Sequence, residues 1–246
     1  DVRQNDLSDF TNVKRNGKIA MNLPEGVFLV NAAIADENDD VMLVTALGRA
    51  IRFSTTEIRV FKSRGSTGVR GIRLATGDVV VSMAIIRHFE ATPGEREAYL
   101  KQRRLIAGAS EDEAEVEADE DEEAVAADQL SPERYAEMSA IEDLILTITA
   151  GGAGKLSSSH GYPVRGRGGM GVMAMDKAMR GGRLVASFPV VPSDQIMLAT
   201  STGQSIRVPV DQISFRSRSA GGVRVFNVGR DEVVVSVARV AEQADE

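Results

Sequence analysis

Short apolar runs recur along this chain in a fixed order. VMLVT (41–45) is followed by a turn at Gly48, a cationic strand RAIRF (49–53), a short link TTEI (55–58), a basic Gly/Ser loop FKSRGSTG (61–68) and a closing run VVVS (79–82). QIMLAT (195–200), Gly203, QSIRV (204–208), VDQI (210–213), FRSRSAGG (215–222) and VVVS (233–236) repeat that order. A third copy lies between them as DLILTITAGGAGKL (143–156), VRGRGGMGVMAMD (164–176) and GRLVASFPV (182–190). A half copy, FTNVKRNGKIAMNL and GVFLVNAAI, opens the chain. Runs of five or six apolar residues bounded by Gly turns predict short strands, not helices.

The loop glycines set the period. Gly17, Gly68, Gly171 and Gly222 are spaced by 51, 103 and 51 residues. A repeat of about 50 residues with four strands each predicts propeller-like blades, because one small sheet cannot bury both its faces without a stacked neighbour. The reading is an all-β, propeller-like array of four-stranded blades: 1–38 the tail of a preceding blade, 39–86 a blade, 139–190 a blade, 191–246 the final blade and the start of an acidic tail.

The stretch 87–138 breaks the pattern. Residues 94–106 (GEREAYLKQRRLI) have the charged character of a surface helix. Residues 110–128 carry 11 carboxylates and almost no bulky apolar groups, a composition that predicts disorder. It is read as a solvated linker, with a competitor for the basic loops as the alternative. Ser131-Pro132 then marks a helix start, Ser as N-cap and Pro at the first position.

The formal net charge of −7 changes meaning once it is divided. Residues 87–138 hold 16 acids and 6 bases, whereas the other 194 residues hold 20 acids and 23 bases. The repeating body is mildly basic. Its cations collect in loops: Arg59, Lys62, Arg64, Arg70 and Arg73; Arg207, Arg216, Arg218 and Arg224; Lys155, Arg165 and Arg167; Lys14, Arg15 and Lys18. Arg64, Arg167 and Arg218 each stand four residues before a loop glycine. A cation repeated at one position of a stacked array forms a row that can follow backbone phosphates of a duplex. Aromatic residues make up 4% and do not recur beside the arginines, which argues against base-stacking recognition of single strands.

Other chemistry finds no support in the residues. Cysteine is absent and histidine is limited to His88 and His160, so no metal or thiol centre is expected. RGRGGMG (165–171) lacks the GK[ST] and the strand–helix context of a phosphate loop. His160, in SSSHGYP, is read as an exposed loop residue. No run approaches a membrane span. The polar, Met-less start reads as that of a fragment, and a cytoplasmic location is expected.

At TGVRGIRLATGD (67–78), at the pair DDVMLVTALGRAIRF and DQIMLATSTGQSIRV, and at the VVVS closures, the chain resembles the C-terminal domain of the bacterial DNA gyrase A protein. The resemblance implies a β-pinwheel whose blades exchange strands and whose perimeter binds and bends duplex DNA. It implies ATP-dependent negative supercoiling by a holoenzyme, with the gyrase A core and the ATPase-bearing gyrase B protein as partners. It assigns no catalysis or cofactor to this part. It places DNA contacts on Arg49, Arg52, Lys62, Arg64, Arg70, Arg165, Arg167, Arg207 and Arg218. The family's Q-R-R-G-G-K-G box is absent; QRRLIAG (102–108) shares only its opening. Alternatives are the related domain of topoisomerase IV and a propeller-like module whose rim binds an acidic protein.

Overall fold

The computed structural model describes residues 1–62, 65–108, 129–176 and 181–241. Its strands are β1 (Asp39–Thr45), β2 (Arg49–Ser54), β3 (Val80–Arg87), β4 (Leu144–Thr149), β5 (Ala153–Ser158), β6 (Val172–Met173), β7 (Leu184–Val190), β8 (Gln195–Thr200), β9 (Ser205–Pro209), β10 (Val223–Arg224) and β11 (Val234–Val240). Two helices, α1 (Pro93–Ile106) and α2 (Pro132–Ile141), fall between β3 and β4.

Three antiparallel sheets form, ordered β3-β1-β2-β6, β10-β5-β4-β7 and β11-β8-β9. Each repeat closes its own three-stranded core, since β1 pairs with β2 and β3, and β4 with β5 and β7. The fourth strand is where the structure departs from the repeat unit. Each four-stranded sheet takes its fourth strand from the next repeat: Ala50 pairs with Val172 of β6, and Gly154 with Val223 of β10. The exchange joins the blades through backbone hydrogen bonds.

Both faces of β1 and β4 are buried, which is why these strands read as near-continuous apolar runs, whereas β8 buries Ile196 and Leu198 and leaves Met197 43% exposed. In β1, Val41 and Leu43 pack with Val2, Phe53, Ile58 and Ile72, whereas Met42 and Val44 turn the other way onto Ile145, Tyr162 and Leu184 of the next repeat. In β4, Ile145 faces that shared core and Leu146 and Ile148 face the following one, with Ile196, Leu198 and Val234. The period-2 alternation of side chains thus makes each four-stranded sheet the wall between two cores.

Three of the four loop glycines, Gly68, Gly171 and Gly222, mark the places where one repeat lies on the preceding segment, whereas Gly17 has open space beside it. A Cβ at Gly171 (φ +73°) would collide with the carbonyl oxygen of Ala50, and one at Gly68 (φ +97°) with that of Val2. Gly222 packs against Gly154 in the same way without a positive φ. The glycine lets the incoming segment lie flush on the preceding repeat's strand.

Residues 1–38 contain no strand. The segment is tied on by the bridges Val2–Val69 and Gln4–Val60. Val2 and Gln4 stand where Ala50 and Arg52 stand in the next repeat, whose bridge is Arg52–Val164. Val27 to Val30, with Phe28 at 83% exposure, occupy the sequence position of β3 but have no described sheet beneath them.

The second helix begins where expected, and the first begins at Pro93, one residue ahead of the expected helical stretch. Thr92 caps α1 in a reciprocal capping box with Glu95, and Ser131 caps α2 ahead of Pro132. The helix α2 runs to Ile141, so the insert ends later than the expected boundary at 138. The expected disorder at 110–128 lies outside the described residues. The helices dock on the third copy. Tyr99, fully buried, stacks on Tyr135 and meets His160 edge-on, with ring centroids 4.9 Å apart in both pairs.

Candidate nucleic-acid interface

The basic loops lie side by side because the exchanged strands carry them there. Arg73 N–H donates to Gly169 O at 2.8 Å and Gly168 N–H to Gly71 O at 2.6 Å, so loop 57–73 and loop 164–171 run against each other. The next step repeats the arrangement. Leu156 N–H donates to Ser214 O and Arg216 N–H to Leu156 O, which brings 214–222 alongside the third copy.

The repeated arginines sit at these seams. Arg167 is half-buried; its side chain donates to Glu57 O and Arg70 O at 3.1 Å each. Arg218 is half-buried and donates to Met173 O. Both therefore tie neighbouring repeats together as well as lining the seam. Arg64, the third member of the row, lies outside the described residues. Of the expected contact residues, Lys14, Arg15, Arg59, Lys62, Arg70, Arg73, Arg207 and Arg224 are exposed, and Lys18, Arg49, Arg165 and Arg216 are partly covered. Arg70 and Arg224 share one position, each following the valine that pairs with the preceding repeat, Val69 and Val223.

Two expected contact residues are corrected. Arg52 is 4% exposed. Its Nε bonds Asp40 at 2.7 Å, and its other nitrogens donate to Ser159 O, Tyr162 O and Arg87 O. Lys155 is 0% exposed, and its ammonium donates to Ser217 O, Arg218 O and Ala220 O. Neither can reach a phosphate. Each faces the seam, where the next repeat's loop closes over it. Burial, with Arg218 and Arg216 nearby, holds the Lys155 pKa well below the usual lysine range.

His160 is likewise buried and not an exposed loop residue. Its Nε2 lies 2.9 Å from Met138 O, and burial lowers its pKa. Sequence reasoning also passed over Arg3, which donates to Ser66 O at 2.7 Å. Arg3 and Arg59 both lie over the ring of Phe61, at 5.1 and 4.5 Å. The signal available was Phe61 inside an otherwise aromatic-poor basic loop.

A titratable network lies behind the seam. His88 meets Asp40 through Nδ1 at 2.8 Å and Glu90 through Nε2 at 3.0 Å. The bond to Glu90 raises its pKa most, burial opposes this, and Asp40 raises it further. A group whose pKa is raised on folding stabilises the fold fully below its unfolded value near 6.5 and loses that contribution as pH rises through the folded value. Urea unfolding of the chain should therefore show a stability contribution that is present below the unfolded value near 6.5, is lost as pH rises above it, and is abolished by His88→Gln. An unchanged decrease in His88→Gln would assign it to other groups.

Among the described residues no group of three or more His, Cys, Asp or Glu could hold a metal, and no helix is long and apolar enough to cross a membrane.

Comparison with known proteins places this geometry. The model of the DNA gyrase C-terminal domain, β-propeller, matches residues 5–36, 39–87, 143–190 and 194–241, one match per repeat with the insert left out. The DNA gyrase A protein of Granulibacter bethesdensis is 50% identical over 98% of this chain and 27% of its own length. That of Rickettsia bellii is 38% identical over the whole chain and 26% of its own length. The chain spans about a quarter of the length of these relatives. A solved gyrase A C-terminal domain superposes with a TM-score of 0.63 at 19% identity, covering 95% of this chain and 60% of the other. The C-terminal domain of DNA topoisomerase IV gives 0.62 at 21% identity, covering 90% and 52%. The structural likeness concerns the fold; the relatives and the family model decide between gyrase and topoisomerase IV.

Proposed function

Because the chain belongs to the DNA gyrase C-terminal domain β-propeller family, we propose that it binds duplex DNA along its seam loops and bends it, as a non-catalytic part of a type II topoisomerase. One observation supports this reading: strand exchange sets loop 57–73 against loop 164–171 and loop 214–216 against β5, and the exposed cations those loops carry would line one strip. A duplex presents phosphates at regular intervals, and such a strip meets several at once without reading bases. In the longer protein this bending would support ATP-dependent negative supercoiling together with the gyrase A core and the gyrase B protein, in the cytoplasm at the nucleoid. No cofactor is assigned to this part.

Fluorescence anisotropy with duplexes of unrelated sequence tests it. Affinities should be equal across sequences, and log K should fall linearly with log salt at a slope of several units. Absence of duplex binding at about 50 mM salt, or a salt-insensitive affinity, overturns the reading and leaves an acidic protein as the partner to seek.

A further inference from the structure

We infer that Lys155 is a positioning residue for DNA binding: buried beneath the last seam, it sets the backbone of loop 216–220 and so aims Arg216 and Arg218. This rests on the duplex-binding reading above.

The geometry is unusual for a lysine. Its side chain is fully buried, yet its ammonium is held by carbonyls and not by a carboxylate. The three N–H donors go to the carbonyls of Ser217, Arg218 and Ala220, at 2.9 Å for the first and 2.5 Å for the last. All three belong to one turn of the following repeat. An ammonium has three donors and no more, so this loop exhausts it. A loop without strand pairing of its own thereby acquires a fixed backbone. The arrangement also concentrates charge: Arg216 and Arg218 lie close enough to Lys155 to depress its pKa. A merely stabilising core residue at this position would be apolar, since burying an ammonium is costly even with the Asp176 carboxylate nearby. Ile51 holds the equivalent place one repeat earlier and packs in the core there. The cation thus stands where the succeeding loop bends over it and is not part of the repeat's common plan.

Lys155→Met keeps the length and removes the donors. It should fold, as an apolar chain suits the site, but leave the three carbonyls to find water. Hydrogen exchange at 216–222 in the free protein should then quicken by about tenfold or more. Duplex affinity at about 0.1 M salt should fall by about ten- to a hundredfold, with the salt slope shallower by about 2, the value of two lost phosphate contacts. In an Arg216→Gln/Arg218→Gln background, Lys155→Met should change the slope no further. A general packing role would weaken binding in both backgrounds.

The outcomes separate cleanly. If the wild-type chain fails to bind duplex, the functional reading falls and this one with it, whatever the exchange data show. If the wild type binds and Lys155→Met keeps both its loop protection and its salt slope, the positioning role alone is overturned. Should Lys155→Met not fold, Lys155→Arg is measured by the same criteria, because a planar guanidinium cannot converge on the three carbonyls as an ammonium does. An unchanged slope in that variant also overturns the role.

Discussion

Replacing Lys62, Arg70, Arg73 and Arg224 together with glutamine will lower duplex affinity by about a thousandfold at about 0.1 M salt and flatten the salt slope by about 3 to 4. All four are exposed and none belongs to a core cluster. Each phosphate neutralised releases close to one counterion, so four lost contacts subtract about 3.6 from the slope. Thermal unfolding should shift little, because surface substitutions of this kind usually stay within about 0.5 kcal/mol each. Anisotropy titrations between about 50 and about 300 mM salt give both numbers. A slope unchanged in a variant that still folds would show that the duplex lies elsewhere. The choice of residues comes from the structure. A variant built on Arg52 would instead have removed a buried tie, and its loss of binding would have reported misfolding.

Asp40→Ala should destabilise the chain by about 3 to 5 kcal/mol. Asp40 is fully buried and accepts from Arg52 Nε at 2.7 Å and meets His88 Nδ1 at 2.8 Å. Removing it strands the Arg52 guanidinium in a buried site, and breaking a buried pair from one side costs in this range. For a domain of this size that corresponds to a Tm lower by about 10 °C. Replacing both partners, Asp40→Leu with Arg52→Met, should recover much of the loss, since no charge is then left unpaired. Recovery will be incomplete, because Arg52 also donates to Ser159 O and Tyr162 O across the seam. Calorimetry of the single and double variants decides it. An Asp40→Ala protein within about 1 kcal/mol of wild type would mean that Arg52 keeps access to solvent.

The two predictions depend on a distinction that residues alone could not draw. Arg52 and Arg207 occupy the same place in IRF and IRV, facing Met42 and Met197 across their hairpins. Arg52 is buried under the following repeat's turn; Arg207 is exposed, with no described loop above it. Burial here belongs to what the next repeat supplies, roughly a hundred residues away in the chain. His160 was misread for the same reason, since α1 and α2 cover it and no local pattern announces where two helices of an insert will dock.

What the chain determined by itself is the repeat and its elements. Apolar runs of strand length, turn glycines at a 51-residue spacing, and the Ser131 cap are local signals, and local backbone and burial preferences are enough to read them. The segregation of acid into 87–138 was equally legible, being a matter of composition. The family resemblance implied strand exchange, but tertiary structure alone decided which strand each four-stranded sheet borrows, that Gly68 and Gly171 serve close approach to the preceding repeat, and which cations face water. Strand partners and loop cover are non-local: any repeat's edge can pair with any other's by the same hydrogen bonds, and only the packed array selects one.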